Sequence, residues 1–326
     1  MNSGSQQGEP DVMCEPTRER INHMDRRPVK LLTAAALTLV MATGCSPADA
    51  QMESASQTPS PDRTRQEVTA QLEAVENKYD ARVGVSAIDT GDGSTVDHRS
   101  DERFGFASTL KVFAVAELLA GTTPEELDEV VTWTQADVDA AGWTPVTEKH
   151  VDTGLPLEDV AESALRVSDN AAMNIVLDEI GGPQGLDAAL EEAGDPATEV
   201  IDEEPELNDV EPGSSDNTTT PAAYTADLQG LLDPDRLSVD DRAVLLEWMS
   251  DNETGDPLIR AGAPEGWTVK DKSGHSDAIQ NDIAVVYPPG EDPIIITVLT
   301  ETEDPESEDG PAIVEAAAEA VLGSFE

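Results

Sequence analysis

The stretch from about 108 to 250 carries apolar residues at the three-to-four spacing of helices, yet β-rich sequence lies on both sides of it. Segments 108–120, 157–166, 169–180, 183–193, 221–232 and 238–250 all read as helices, several behind a capping residue (Ser168 or Asp169, and Ser238). Ahead of this block, Val68, Leu72, Val75 and Tyr79 mark an amphipathic helix over 64–80. Arg82 to Asp89 follows as a strand closed by the turn Thr90-Gly91-Asp92-Gly93. Behind it, Gly266 to Lys272, Asn281 to Tyr287 and Ile294 to Thr300 read as strands, with a turn at Pro288-Pro289-Gly290 and a last helix over 310–323. Strands so far apart in sequence share a core only if the two chain ends meet. The pattern therefore predicts an α+β fold, in which an antiparallel sheet made by both ends is flanked by terminal helices and interrupted by an all-helical insert. Residues 64–107 with 251–326 form the expected α/β lobe and 108–250 the helical lobe. A cleft between two lobes is the default site. Within the insert, residues 202–220 lack periodicity, and a loop that long inside a compact domain is usually functional.

Composition narrows the function. The 326 residues are 38% hydrophobic, enough for a real core, but only 3% aromatic, so Ala, Leu, Val and Ile must fill it. The formal net charge of -49, from 68 acidic against 19 basic residues, argues against nucleic acid as a partner. The acids are scattered rather than blocked, which fits a solvating coat for high salt better than a polyanion mimic. Cys14 and Cys45 both lie outside the expected folded part, and His23, His98, His150 and His275 lack ligand spacing. No metal or other cofactor is expected, and the chain is expected to act as a monomer.

The N-terminus reads as an address. Met24-Asp25-Arg26-Arg27-Pro28-Val29-Lys30 precedes the apolar run Leu31 to Met41 and then Ala42-Thr43-Gly44-Cys45. That is an export signal, too short for a membrane span, with Met24 as its natural start. Small-small-Gly-Cys resembles a bacterial lipoprotein signal, in which Cys45 carries the lipid, and Arg26-Arg27 resembles a twin-arginine signal. Residues 1–44 are therefore expected to be signal and upstream extension. Residues 45–63, rich in Ser, Pro, Gln and Ala, are expected to be a tether to the outer face of the membrane.

Four short patterns carry chemistry. Ser108 and Lys111 sit at i and i+3 where a helix opens, so a lysine of lowered pKa can take the serine proton beside free backbone N–H groups. Ser168-Asp169-Asn170 lies at a helix start, where an N-cap is the plainer role. Glu204 and Asn208 flank Pro205 in the long loop, and one turn of helix there would let a carboxylate and an amide hold and deprotonate a water. Lys272-Ser273-Gly274 ends a strand, and a buried Lys272 would need an anionic partner.

In this order, Ser-x-x-Lys, Ser-Asp-Asn, Glu-x-x-x-Asn and Lys-Ser-Gly resemble the set of the class A serine β-lactamases. The likeness spans about 64–324 and extends to three flanks: Trp143-Thr144-Pro145-Val146-Thr147-Glu148-Lys149-His150, Asn217-Thr218-Thr219-Thr220-Pro221, and Asn281 to Pro288. It implies hydrolysis of the lactam amide of penicillins or cephalosporins through a Ser108 acyl-enzyme. The backbone N–H groups of Ser108 and His275, next to Gly274, would form the oxyanion hole. Lys111 and Glu204 would share the proton traffic, and Ser168 would protonate the leaving nitrogen beside Lys272. Asn170 would bind the substrate amide, Ser273 its carboxylate, and Trp143 would wall the cleft. Glu204 and Asn208 would position the hydrolytic water. A D-alanyl-D-alanine carboxypeptidase shares Ser108, Lys111, Ser168, Asn170 and Lys272 but has no reason to carry Glu204 and Asn208, and a non-catalytic envelope-anchored binding protein would keep the fold without turnover.

Departures from the family pattern stand out. Asp202 and Asn217 occupy the positions of an ion pair that usually closes the long loop, leaving Asn217 hydrogen bonds or a looser loop. No arginine follows Arg260, Gln280 precedes Asn281, and Ser276 replaces a common glycine. Arg260 is expected to pair with Asp271, and the substrate carboxylate would fall to Ser273, Ser168 and Lys272, helped by Lys270.

Overall fold

The computed structural model describes residues 61–250 and 252–326. Cys14, Cys45, His23, the export signal and most of the tether lie outside the described residues. Helix α1 (Pro61–Tyr79) begins slightly before the expected start, and β1 (Ala81–Asp89) follows with β2 (Thr95–His98). The short β3 (Phe104–Gly105) leads to a 3-10 turn over Ala107–Leu110 and then α2 (Lys111–Gly121). After α3 (Pro124–Leu127), β4 (Val130–Val131), α4 (Gln135–Ala141) and β5 (Leu155–Pro156) come the longer helices α5 (Leu157–Arg166), α6 (Asn170–Glu179) and α7 (Gly182–Ala193). A loop holding one 3-10 turn, Glu206–Asn208, runs to β6 (Thr218–Thr219), α8 (Pro221–Gly230) and α9 (Val239–Ser250). The chain closes with α10 (Ile259–Gly262), β7 (Thr268–Ser276), β8 (Ile279–Tyr287), β9 (Ile294–Thr302) and α11 (Gly310–Leu322).

Five strands form one antiparallel sheet in the order β2-β1-β9-β8-β7. Its centre pairs the two ends of the chain, with Ala81 opposite Thr302 and Asp89 opposite Ile294. Side chains alternate across a strand, and here both faces are buried. Ala284, Val286, Ile294 and Ile296 face α1 and α11, while Ile283, Val285 and Ile295 face the helical block. On α11, Ile313, Val314, Val321 and Leu322 are fully buried, each contributing roughly 1.5–3 kcal/mol as an upper estimate.

The insert packs around α2, whose Val112, Val115, Leu118 and Leu119 are buried among α5, α6 and α9. Helix α8 lies against the sheet, since the Thr225 hydroxyl meets the Ser86 carbonyl and the Thr297 hydroxyl, both at 3.0 Å. Strand β2 and the short α3, α4 and α10 escaped the periodicity reading because four to seven residues give too few turns to register. No helix among the described residues is long and apolar enough to cross a membrane.

Candidate active site

Ser108 stands in the 3-10 turn before α2, a correction to the expectation that it opens the helix itself. The preceding Ala107 has φ +46°, a conformation that costs energy in a residue with a β-carbon and persists only when its surroundings hold it. They do. The Asn281 amide donates to the carbonyls of Gly105 (2.8 Å) and Phe106 (3.2 Å), and the Thr109 hydroxyl donates to Phe106 at 2.6 Å. Strand β7 presses on the same turn. A β-carbon on Gly274 would lie 3.0 Å from the Phe106 oxygen and 3.1 Å from the Ser108 nitrogen, so only glycine lets the two backbones come this close. Lys272-Ser273-Gly274 is thus mid-strand, because β7 runs on to Ser276 instead of ending at Lys272.

Lys111 is fully buried, and its Nζ sits among five oxygens. Ser108 Oγ, Glu204 Oε1 and the Ser168 carbonyl are each at 2.9 Å, Asn170 Oδ1 at 2.7 Å and Ser168 Oγ at 3.2 Å. An ammonium has three protons, so these acceptors compete. Burial lowers the lysine pKa, and the neighbouring Glu204 charge works against that fall. The Ser108 hydroxyl in turn donates to Glu204 Oε1 at 3.2 Å. Serine, lysine and glutamate therefore form one proton-exchanging cluster.

Glu204 is buried and held from several sides. Asn208 Nδ2 donates to its Oε2 at 2.7 Å, while the Asn174 side chain bonds its backbone N–H (2.9 Å) and carbonyl (2.8 Å). Glu204 precedes the 3-10 turn rather than lying within it, yet Asn208 still reaches it. The neck of the long loop is closed by Asn217. Its Oδ1 accepts from the N–H groups of Ile201 and Asp202 (both 3.1 Å), and its Nδ2 donates to Asp202 Oδ2 at 2.8 Å.

Lys272 fills the other side of Ser168, with Nζ 3.1 Å from Ser168 Oγ and 2.7 Å from the Ser273 carbonyl. Burial, then the nearby Lys111 charge, pushes its pKa down to about 7 against the pull of Asp282, Asp271 and Glu204. Asp169, not Ser168, caps α6, and its carboxylate also accepts from the backbone of Val146 and Thr147. Asn170 donates from its N–H to the Trp143 carbonyl at 2.8 Å, and the Trp143 ring stands 62% exposed on the rim. Ser273 Oγ donates to Thr254 Oγ1 at 2.6 Å, and the exposed His275 ring contacts the Ile279 carbonyl. Ser108, Lys111, Ser168, Asn170, Glu204, Asn208 and Lys272 are thus joined by polar contacts into one cluster. Ser273 and Gly274 continue β7 from Lys272, Trp143 meets the cluster through Asn170, and the His275 ring turns to the Ile279 carbonyl. Cys45 lies outside the described residues.

Lys270 does not join them: its Nζ reaches the Leu246 carbonyl on α9 at 3.2 Å. Arg260 pairs with Asp271 at 2.5 Å, as expected. The sequence reading missed Asn174, Thr254 and the bracing role of Asn281. Asn281 was visible only as a flank, and the other two carried no signal in spacing.

Residues 67–324 match the model of the β-lactamase enzyme family. A β-lactamase of Bacillus licheniformis is 39% identical over 295 residues, covering 90% of this chain and 95% of its own. The class A β-lactamase structure from Clostridium kluyveri superposes with a TM-score of 0.76 at 37% identity, over 79% of this chain and 98% of that one. A halotolerant bacterial β-lactamase structure gives 0.74 at 39% identity, over 77% and 97%. With its serine, lysine and glutamate gathered at one point and this similarity along nearly the whole described chain, the protein belongs to the β-lactamase enzyme family, in class A, the serine β-lactamases.

Proposed function

We propose that Ser108 is the nucleophile of β-lactam hydrolysis and that Glu204 drives release of the acyl-enzyme. The observation that carries this reading is the position of Lys111 Nζ, 2.9 Å from both Ser108 Oγ and Glu204 Oε1, with Asn208 on the other glutamate oxygen. Ser108 Oγ attacks the lactam carbonyl carbon as its proton passes into the Lys111–Glu204 pair. The oxyanion is received by the N–H groups of Ser108 and His275. The carbon–nitrogen bond then breaks, and the nitrogen takes a proton from Ser168, which is resupplied by Lys111 or Lys272. Asn170 binds the acylamino side chain, Ser273 and Ser168 receive the carboxylate, and Trp143 covers the open side. A water between Glu204 and Asn208 loses its proton to the carboxylate and attacks the ester, returning Ser108.

The Asn208–Glu204 contact favours this over the peptidase reading, which has no use for a carboxylate set to activate water. An export signal and a lipid on Cys45 would place the domain, as a single chain, on the outer face of the membrane. The acidic coat suits salt-rich surroundings. Turnover of a chromogenic cephalosporin in high salt tests the assignment. It should be lost by at least a thousandfold in S108A and K111A, and activity surviving S108A would overturn it.

A further inference from the structure

Helix α8 supports both the turn that carries Ser108 and the base of the long loop. Its Tyr224 ring lies against Phe106 (centroids 6.4 Å apart) and Phe113 (4.7 Å), on either side of Ser108 in the chain. One turn further along α8, Asp227 is buried and faces Asp195, also buried, just past the end of α7 where the long loop departs. The two carboxyl groups are in hydrogen-bonding reach of each other. Yet among the described residues no N–H or O–H donates to Asp195 Oδ2 or Asp227 Oδ2. Their other oxygens are met. Asp195 Oδ1 accepts from the backbone of Ala197 (2.7 Å) and Thr198 (3.1 Å), and Arg236 Nη1 lies 3.5 Å from Asp227 Oδ1. Two ionised carboxylates against this one guanidinium would leave a negative charge buried in excess. A single proton held between the two Oδ2 atoms removes that excess and satisfies both orphaned acceptors.

We propose that Asp195 and Asp227 share one proton and thereby position the long loop, so that loss of this proton displaces Glu204 and slows deacylation. The proposal rests on the Glu204 reading above and adds two positioning residues to it. The path between them is continuous. Thr198 Oγ1 meets Thr219 Oγ1 at 2.7 Å, and the Glu199 N–H donates to the Thr218 carbonyl at 3.1 Å. Asn217 then grips the N–H groups of Ile201 and Asp202, two residues ahead of Glu204. Burial, then the Asp195 charge, pushes the Asp227 carboxyl up to about 8 against the pull of Arg236. Because this pKa is raised in the closed loop, the hold is complete at low pH and weakens as pH climbs toward that value. The charged and titratable groups facing the pair are Arg236 and Tyr224, while β1 and β9 meet α8 through the uncharged Ser86 carbonyl and Thr297 hydroxyl.

The test is the deacylation rate of the benzylpenicillin acyl-enzyme, by quenched mixing and mass spectrometry, for wild type, D227N and D195N from pH 6 to 9. Either carboxamide supplies a fixed N–H in place of the shared proton and leaves one carboxylate to match Arg236. At pH 9 about nine-tenths of the wild-type pairs have lost the proton. Both variants should match wild type within about twofold at pH 6 and deacylate about fivefold faster than it at pH 9. The ratio cancels the titration of Lys272, which all three proteins share. Infrared spectra should show a protonated-carboxyl band that fades near pH 8 in wild type and is missing from both variants. A rate ratio that does not change with pH, or the same fading band in both variants, would overturn the proposal. Wild-type protein that forms no acyl-enzyme would overturn the Ser108 reading and the positioning role with it, while the infrared band still decides whether the proton is shared.

Discussion

Asn217→Asp isolates what holds the long loop. The substitution keeps side-chain size and suits the φ of +53°, which asparagine and aspartate both tolerate. It replaces the donor that meets Asp202 Oδ2 at 2.8 Å with an acceptor, at a site only 1% exposed. Two carboxylates about 3 Å apart repel by roughly 5 kcal/mol at an effective dielectric of 20. Taking up one proton relieves this, at about 4 kcal/mol at pH 7 and about 1.5 kcal/mol at pH 5 for a group of ordinary aspartate pKa. The new carboxyl has its folded pKa raised, so the stability of the closed loop is present at low pH and lost as pH rises through that value. Opening the neck moves Glu204, where roughly 1 Å of error costs about a hundredfold. Deacylation of N217D, followed by stopped-flow absorbance, should be ten- to a hundredfold slower than wild type at pH 7.5 and within about threefold of it at pH 5. A defect of equal size at both pH values would refute the reasoning, as would none at pH 7.5.

Two further outcomes follow from buried charge. Lys272 titrates at about 7, so kcat/KM should fall as pH rises past that point, and K272R, which stays charged, should move the alkaline limb upward at least one pH unit. Burial, reinforced by the nearby Asp195, raises the Asp227 pKa to about 8. A carboxyl with a raised folded pKa contributes stability that is lost as pH rises from its unfolded value to its folded one. Tm should therefore fall between about pH 5 and 8 in wild type, level off above that, and fall by less in D227N, measured by calorimetry.

Much of this site was legible only through the resemblance carried by the order of the motifs: one local turn sets Ser108 beside Lys111, or Ser168 beside Asn170, but spacing by itself fits a plain helix pair or an N-cap equally well. The β-sheet was legible from composition: Ile283 to Tyr287 and Ile294 to Leu299 are nearly continuous apolar runs, as strands buried on both faces tend to be. What failed depended on contacts between distant segments. Lys270 shares strand parity with Lys272, but its long stem is free to swing toward α9, and parity says nothing about where such a side chain ends. The 3-10 turn under Ser108 is imposed by Asn281 and by the close approach of Gly274, both more than 160 residues away in sequence. Asn174 is one polar residue on an amphipathic helix until the loop folds over it and Glu204 meets its amide.

The division of labour between Ser108 and Glu204 is tested most directly by mass spectrometry of the purified domain in high salt, mixed with a penicillin and sampled from milliseconds to an hour. The account predicts an adduct on Ser108 that is transient in wild type and persists in E204Q for the whole hour. A stable adduct on the wild-type protein, or one that E204Q clears as fast as wild type, would contradict it.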